Sequence, residues 1–126
     1  ERAWVVHGAD GLDELTTTGP SFVAELKDGK IETFEVSPED AGITLSRPKD
    51  LKGGDPDHNA KALNAVLNGE PSPYRNIVLY NAAAALLIAE KADDLKDGAI
   101  QAASAIDDGK ALETLNRLIF ITNLLF

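Results

Sequence analysis

The chain has 126 residues, with 12 Lys and Arg against 21 Asp and Glu, for a formal charge of −9. That length suits one compact domain or a part of a larger one, and the acidity excludes a nonspecific binder of phosphate backbones, which needs a basic footprint. With 44% hydrophobic residues the chain is globular rather than disordered, and the absence of Cys, which excludes a disulfide scaffold and a thiolate zinc site, fits a reducing compartment.

Taken in order, Ala3 to Val6 is a short apolar run that predicts a fully buried strand ending at His7-Gly8. The chain opens directly on this strand, carries no Met and shows no secretory pattern, which leads to the expectation that it is a piece of something longer. A turn dense in carboxylates follows at Asp10-Gly11-Leu12-Asp13-Glu14, then a loop over Thr16 to Pro20. Phe22, Ala24 and Leu26 alternate with Val23, Glu25 and Lys27 as in a strand with one wetter face. Asp28-Gly29 is a preferred two-residue hairpin turn, and Lys30 to Val36 alternates again with Glu32 and Glu35 as its wetter positions, so residues near 21–36 predict a β-hairpin.

Ser37-Pro38-Glu39-Asp40 starts a helical turn that Gly42 stops. Residues 43–54 are irregular, and the rest reads as about four helices. Asp55-Pro56 opens the first, with Ala60, Leu63, Val66 and Leu67 on one face, and Gly69 closes it. Ser72-Pro73 opens a second that runs from Tyr74 to about Ala92, apolar on almost every face except at Asn81 and too short to span a bilayer. Its Ala82 to Ala85 run allows a neighbouring element to come close. Asp93-Asp94 caps a third with Leu95, Ala99, Ala103 and Ile106 in register, Asp107-Asp108-Gly109 breaks it, and a last helix leads into the apolar tail Leu124-Leu125-Phe126.

The strongest candidate for chemistry is the turn after the first strand, because the carboxyl ends of strands in α/β sheets are where ligands usually bind. Adjacent Asp13 and Glu14 can direct two hard oxygen donors at one cation, a set that suits magnesium completed by water or phosphate. The competing structural account is a solvated acidic loop that bonds its own backbone. His7 at the strand end could act as a general base or a ligand, but reads first as a hydrogen-bonded structural residue, and His58 reads as exposed. Gly53-Gly54-Asp55 is explained by a cap and a proline-started helix, and no Walker, dinucleotide or Ser/His/Asp pattern is present.

Several ordered segments together resemble the anthranilate phosphoribosyltransferase family. They are Val5-Val6-His7-Gly8 with Gly11-Leu12-Asp13-Glu14, Val36-Ser37-Pro38-Glu39-Asp40-Ala41-Gly42, Leu51-Lys52-Gly53-Gly54-Asp55 with Asn59-Ala60, Val66-Leu67-Asn68-Gly69-Glu70, Asn81-Ala82-Ala83 and Ala105-Ile106-Asp107-Asp108-Gly109-Lys110-Ala111. The resemblance covers the chain to about Arg117. It implies an α/β fold in which residues 1–126 form the C-terminal portion of a larger phosphoribosyltransferase domain, without the family's N-terminal helical domain, glycine-rich loop, KHGN segment and anthranilate-binding arginine. It implies Asp13 and Glu14 as ligands of Mg2+, phosphoribosyl diphosphate and anthranilate as substrates, pyrophosphate as product, and a cytoplasmic, tryptophan-pathway homodimer when intact. No nucleic-acid or membrane partner is expected.

The alternatives are a family member with another acceptor, a non-catalytic nucleic-acid-binding homologue, and a folded fragment without activity. The 126 residues alone are expected to be inactive. Such a piece is expected to expose core surface, on the apolar 77–89 helix or on the Leu118 to Phe126 tail, and to associate through it.

Overall fold

A computed structural model describes residues 1–124, so Leu125 and Phe126 of the expected apolar tail lie outside the described residues. Three strands, β1 (Arg2–Gly8), β2 (Ser21–Lys27) and β3 (Lys30–Val36), form an antiparallel meander in the order β1-β2-β3. Four helices follow: α1 (Pro56–Leu67), α2 (Pro73–Ile88), α3 (Leu95–Asp107) and α4 (Lys110–Asn123). Two short 3-10 turns, Pro38–Ala41 and Pro48–Leu51, occupy the connection between sheet and helices.

The β2–β3 hairpin turns where expected, with Asp28 and Gly29 both at positive φ, 51° and 76°. Two positive φ values twist the turn in the same sense as the strands it joins. The pairing register aligns Val6, Val23 and Phe34 across the sheet on the face that meets the core. On the same face Trp4 stands edge-on to Phe34 at a ring separation of 5.5 Å. Its indole N–H donates to Glu25 at 2.8 Å, and the Arg2 guanidinium donates to the same carboxylate oxygen at 2.7 Å. These bonds let Glu25 face inward, and they hold its carboxyl below the usual carboxylate range.

Two expectations about the strands are therefore reversed. β1 is not fully buried: it alternates, and Val5 is 74% exposed. On β2 the inward residue is Val23, while Phe22 lies on the open side with Val5 and His7. Both β2 faces read as apolar, and only the register against β1 and β3 decides which one meets the helices. Glu32 and Glu35, three positions apart, stand on opposite faces, as the two-residue repeat of a strand requires.

The helices begin as read. Asp55, Ser72 and Asp94 each accept a backbone N–H in the first turn of α1, α2 and α3, from His58, Arg75 and Asp97. In the first 3-10 turn the Asp40 carboxylate accepts the Ser37 N–H at 2.7 Å, and Gly42 closes the turn at φ 70°. α1 buries only Val66 and lies at the periphery. α2 stops at Ile88, short of the expected Ala92. Glu90 takes a positive φ of 56°, and the N–H groups of Glu90 and Lys91 return to the Leu87 and Leu86 carbonyls. That is a Schellman closure built without glycine, so the composition carries no sign of it.

α2 is the centre of the core. Ile77, Leu79, Tyr80, Ala83 and Ala84 are buried within this chain, contrary to the expectation of an exposed 77–89 helix. The sheet lies on one side and α3 on the other, and the alanine run does allow a close approach. A Cβ placed on Gly98 of α3 would stand 2.8 Å from both the Ala83 Cα and its carbonyl oxygen. α4 differs: none of its residues is buried, and Leu118, Ile119, Phe120, Ile121 and Leu124 are exposed, as expected of the tail.

Gly98→Ala should lower stability by about 1–3 kcal/mol through overpacking, despite about 1 kcal/mol of gained helix propensity. A urea midpoint that falls with an unchanged m-value is the expected result. An unchanged or raised midpoint would mean that α2 and α3 separate without loss.

Candidate functional site

The turn between β1 and β2 places all of its acidic residues beyond the carboxyl end of β1 and fastens itself with its own polar groups. Gly8 N–H donates to the Leu12 carbonyl at 2.9 Å, and Gly11 N–H donates to the Gly8 carbonyl at 2.9 Å. A Cβ on Gly8 would lie 2.6 Å from the Asp10 Oδ1 and 3.1 Å from the Thr16 Cβ, so a side chain there would have to displace the Asp10 carboxylate. Gly11 must turn through a φ of 94°.

Asp10 is the organiser of this turn. Its Oδ2 accepts the Thr16 and Thr18 hydroxyls, both at 2.6 Å, and its Oδ1 accepts the Leu12 N–H at 3.2 Å. Desolvation opposes its charge, but these hydrogen bonds outweigh it and hold the carboxyl below the usual carboxylate range. Thr16 is itself buried, and its N–H donates to Ser21 Oγ at 2.9 Å at the start of β2. The run Thr16-Thr17-Thr18, read from sequence only as a loop, is thus a folded polar cluster.

Asp13 and Glu14 are in a different situation. Both are exposed, and neither carboxylate takes part in a hydrogen bond or ion pair among the described residues, which is also true of surface acids such as Glu32, Glu35 and Asp57; what sets the pair apart is that the two are adjacent at the end of β1, beside Asp10. Partial burial, then the negative charges of Asp13 and Asp10, raise the Glu14 carboxyl above its ordinary value. Among the described residues no group of three or more His, Cys, Asp or Glu can hold a metal ion by itself. A cation at Asp13 and Glu14 would therefore have to complete its shell with water or with ligand oxygens.

The far end of the turn is fastened by Asn81, the polar break in the otherwise apolar α2. Asn81, in the middle of α2, accepts the Leu15 N–H at 2.9 Å and donates to the Leu15 carbonyl at 2.9 Å. Its signal was available, since it is the lone strongly polar side chain between Ile77 and Ile88 apart from the Tyr80 hydroxyl.

The other candidates are structural or peripheral. His7 is exposed on the open sheet face without a hydrogen bond among the described residues, so it is not the bonded structural histidine expected. His58 is exposed, as expected, with its ring against Gly54. The Gly53-Gly54 pair is a structural element, as read. Asn59 accepts the Gly54 N–H at 2.9 Å and donates to its carbonyl at 3.0 Å, and a Cβ on Gly53 would lie 3.0 Å from that same side chain. No described helix is long and apolar enough to cross a membrane.

Comparison with known proteins gives a consistent result. Residues 1–112 match the model of a glycosyl transferase family, a/b domain. The chain is 59% identical over 123 residues to the anthranilate phosphoribosyltransferase of Parvibaculum lavamentivorans, covering 98% of this chain and 36% of that protein. It is 57% identical over 121 residues to that of Rhodospirillum rubrum, covering 96% of this chain and 35% of that protein. Among solved structures it is similar to the Saccharomyces cerevisiae anthranilate phosphoribosyltransferase in complex with PRPP and Mg, with TM-score 0.82, 27% identity, and coverage of 90% of this chain and 33% of that one. It is also similar to the Thermus thermophilus enzyme, with TM-score 0.82, 34% identity, and coverage of 92% and 34%. The chain thus spans about a third of the length of these relatives.

Asp10→Ala should leave the Thr16 and Thr18 hydroxyls and the Leu12 N–H without their acceptor, costing about 1–2 kcal/mol. Because the folded pKa of Asp10 is depressed, its contribution is present above the unfolded pKa and is lost as pH falls through the folded value. Urea midpoints followed from neutral into acid pH should therefore converge for wild type and Asp10→Ala, and a constant gap would contradict the assignment.

Proposed function

Because the chain belongs to the glycosyl transferase family whose a/b domain matches its residues 1–112, we propose that it is the C-terminal part of that domain in an anthranilate phosphoribosyltransferase. In this reading the intact enzyme transfers the phosphoribosyl group of phosphoribosyl diphosphate to the amine of anthranilate and releases pyrophosphate. The C–O bond to pyrophosphate breaks and a C–N bond to the acceptor forms. The observation that carries the reading is the similarity along nearly the whole chain to relatives of that name, with an uncompensated acidic pair at the end of β1.

Asp13 and Glu14 would hold the magnesium ion. Two exposed carboxylates with no internal donor, one of them raised by partial burial and then by its like-charged neighbours, form a hard-oxygen set that suits a dication. When bound, the ion supplies positive charge against the diphosphate and against the charge that builds on departing pyrophosphate. The chain's own part is to hold two carboxylates in place on a pinned turn. Asp10 contributes by bonding the turn rather than as a ligand, because three hydrogen bonds already occupy its oxygens.

The rest of the enzyme would supply the glycine-rich loop, the acceptor-binding residues and the N-terminal helical domain through which the homodimer forms. It would also cover the open sheet face at Val5, Phe22 and Ile31 and the exposed end of α4. The reading places the enzyme in cytoplasmic tryptophan biosynthesis.

In the intact enzyme, Asp13→Asn combined with Glu14→Gln should lower magnesium-dependent turnover by about a hundredfold or more. Unchanged turnover at limiting magnesium would refute the assignment. The isolated 126 residues should give no turnover with phosphoribosyl diphosphate and anthranilate. The raised Glu14 carboxyl should move down when magnesium is added, so apparent magnesium affinity climbs as pH rises through that pKa. Carboxyl chemical shifts followed against pH, with and without the ion, measure this directly.

A further inference from the structure

We propose that Asn81 is a positioning residue for the Asp13–Glu14 pair, acting through a two-point clamp on the Leu15 backbone. The proposal rests on the reading of that pair as magnesium ligands and adds the residue that sets where the pair stands.

The clamp joins positions 66 apart in sequence. Asn81 Oδ1 accepts the Leu15 N–H at 2.9 Å, and Asn81 Nδ2 donates to the Leu15 carbonyl at 2.9 Å. The second Nδ2 hydrogen serves the Ile77 carbonyl, one turn back on α2, at 3.0 Å. The amide is thus engaged on the loop and on its own helix together, which leaves it little rotational freedom.

The consequence for Glu14 follows from peptide planarity. The Leu15 N–H lies in the same rigid plane as the Glu14 carbonyl carbon and Cα. Fixing that N–H therefore fixes the point from which the Glu14 side chain departs. Leu15 is also held from its other side, since it is 0% exposed in the core. On the N-terminal side, Leu12 is bonded through its carbonyl to Gly8 and through its N–H to Asp10. Asp13 and Glu14 are the two residues between these fastened ends, so the backbone that carries both carboxylates is held from either side.

A polar amide in an apolar helix costs helix propensity and desolvation, and both are recovered only when its hydrogen bonds are made. Here two of the three go to the loop. Residues that orient metal ligands without touching the metal typically change affinity about 10–100-fold when lost.

The test uses this chain, magnesium ion as the probe, and backbone amide shifts of Asp13 and Glu14 as the readout. Asn81→Ala removes the clamp, and Asn81→Leu does so at similar volume should the alanine variant fail to fold. Val66→Ala, a buried α1 residue 1% exposed, serves as a destabilised control outside the clamp. Both Asn81 variants should raise the magnesium dissociation constant about tenfold and speed hydrogen exchange of the Leu15 amide, while Val66→Ala leaves the constant unchanged. Wild-type affinity in an Asn81 variant whose Leu15 amide exchanges fast would overturn the proposal. An equal loss of affinity in Val66→Ala would reduce Asn81 to a stability effect and overturn it as well. Should the wild type show no magnesium-dependent shift, the metal assignment itself fails, which separates that failure from failure of the clamp.

Discussion

The structure depends on α2 meeting two partners at once. Its buried side chains Leu79, Tyr80, Ala83 and Ala84 belong to one core cluster with Val23 of the inner sheet face and with Leu95, Ala99 and Ala102 of α3. The space on the α3 side is set by Ala83 against Gly98, where even one additional carbon atom would meet backbone at 2.8 Å. That dense contact leaves no room for adjustment, because interiors are packed like crystals rather than liquids. The polar attachments sit around it. Arg2 on β1 donates to the Leu87 carbonyl near one end of α2, and Arg75 near the other end pairs with Asp107 of α3 at 2.8 Å. Asn81, between those ends, reaches the acidic turn. A helix fixed this firmly can serve as the reference frame for the far end of a turn whose own bonds fasten it near Asp10.

The acidic residues divide into those with internal work and those without. Asp55 and Asp94 cap helices, Glu25 answers Arg2 and Trp4, and Asp107 answers Arg75. Asp10 ties two hydroxyls and a backbone N–H into the turn. Each gains a donor that offsets the cost of its charge. Asp13 and Glu14 have none among the described residues, and the turn keeps them beside Asp10, where their fields add. A chain could avoid this arrangement by letting the loop relax, and the clamps at Leu12 and Leu15 prevent it. This is the pair proposed to hold magnesium.

The sheet is apolar on both faces. Val6, Val23 and Phe34 meet the core, whereas Val5 and Ile31 are 74% and 75% exposed on the other side. An antiparallel sheet commonly leaves one face to water, and here that face carries Val5, Phe22 and Ile31, an apolar surface that other structure could cover. Apolarity on both faces also shows why alternation alone does not orient β2. With apolar residues at both parities, alternation identifies a strand without identifying its inside. The decisive information is the register that aligns Val6, Val23 and Phe34, together with the Arg2 and Trp4 donors that make an inward Glu25 affordable.

Local chemistry made much of the molecule readable from its residues alone. Asp28-Gly29 specified the hairpin, Asp55, Ser72 and Asp94 specified helix starts, Gly42 and Gly109 specified stops, and the ordered segments specified the family. Each of these is decided within a few neighbouring residues, where backbone dihedrals and first-turn hydrogen bonds are settled. The tertiary structure alone decided the rest. It chose the face of β2, ended α2 at a left-handed Glu90, and turned Asp10 into a loop organiser rather than a third free carboxylate. It also brought Asn81 to Leu15 across 66 positions. A hydrogen bond of that reach has no local signature, because the partners meet only after the sheet and α2 have packed.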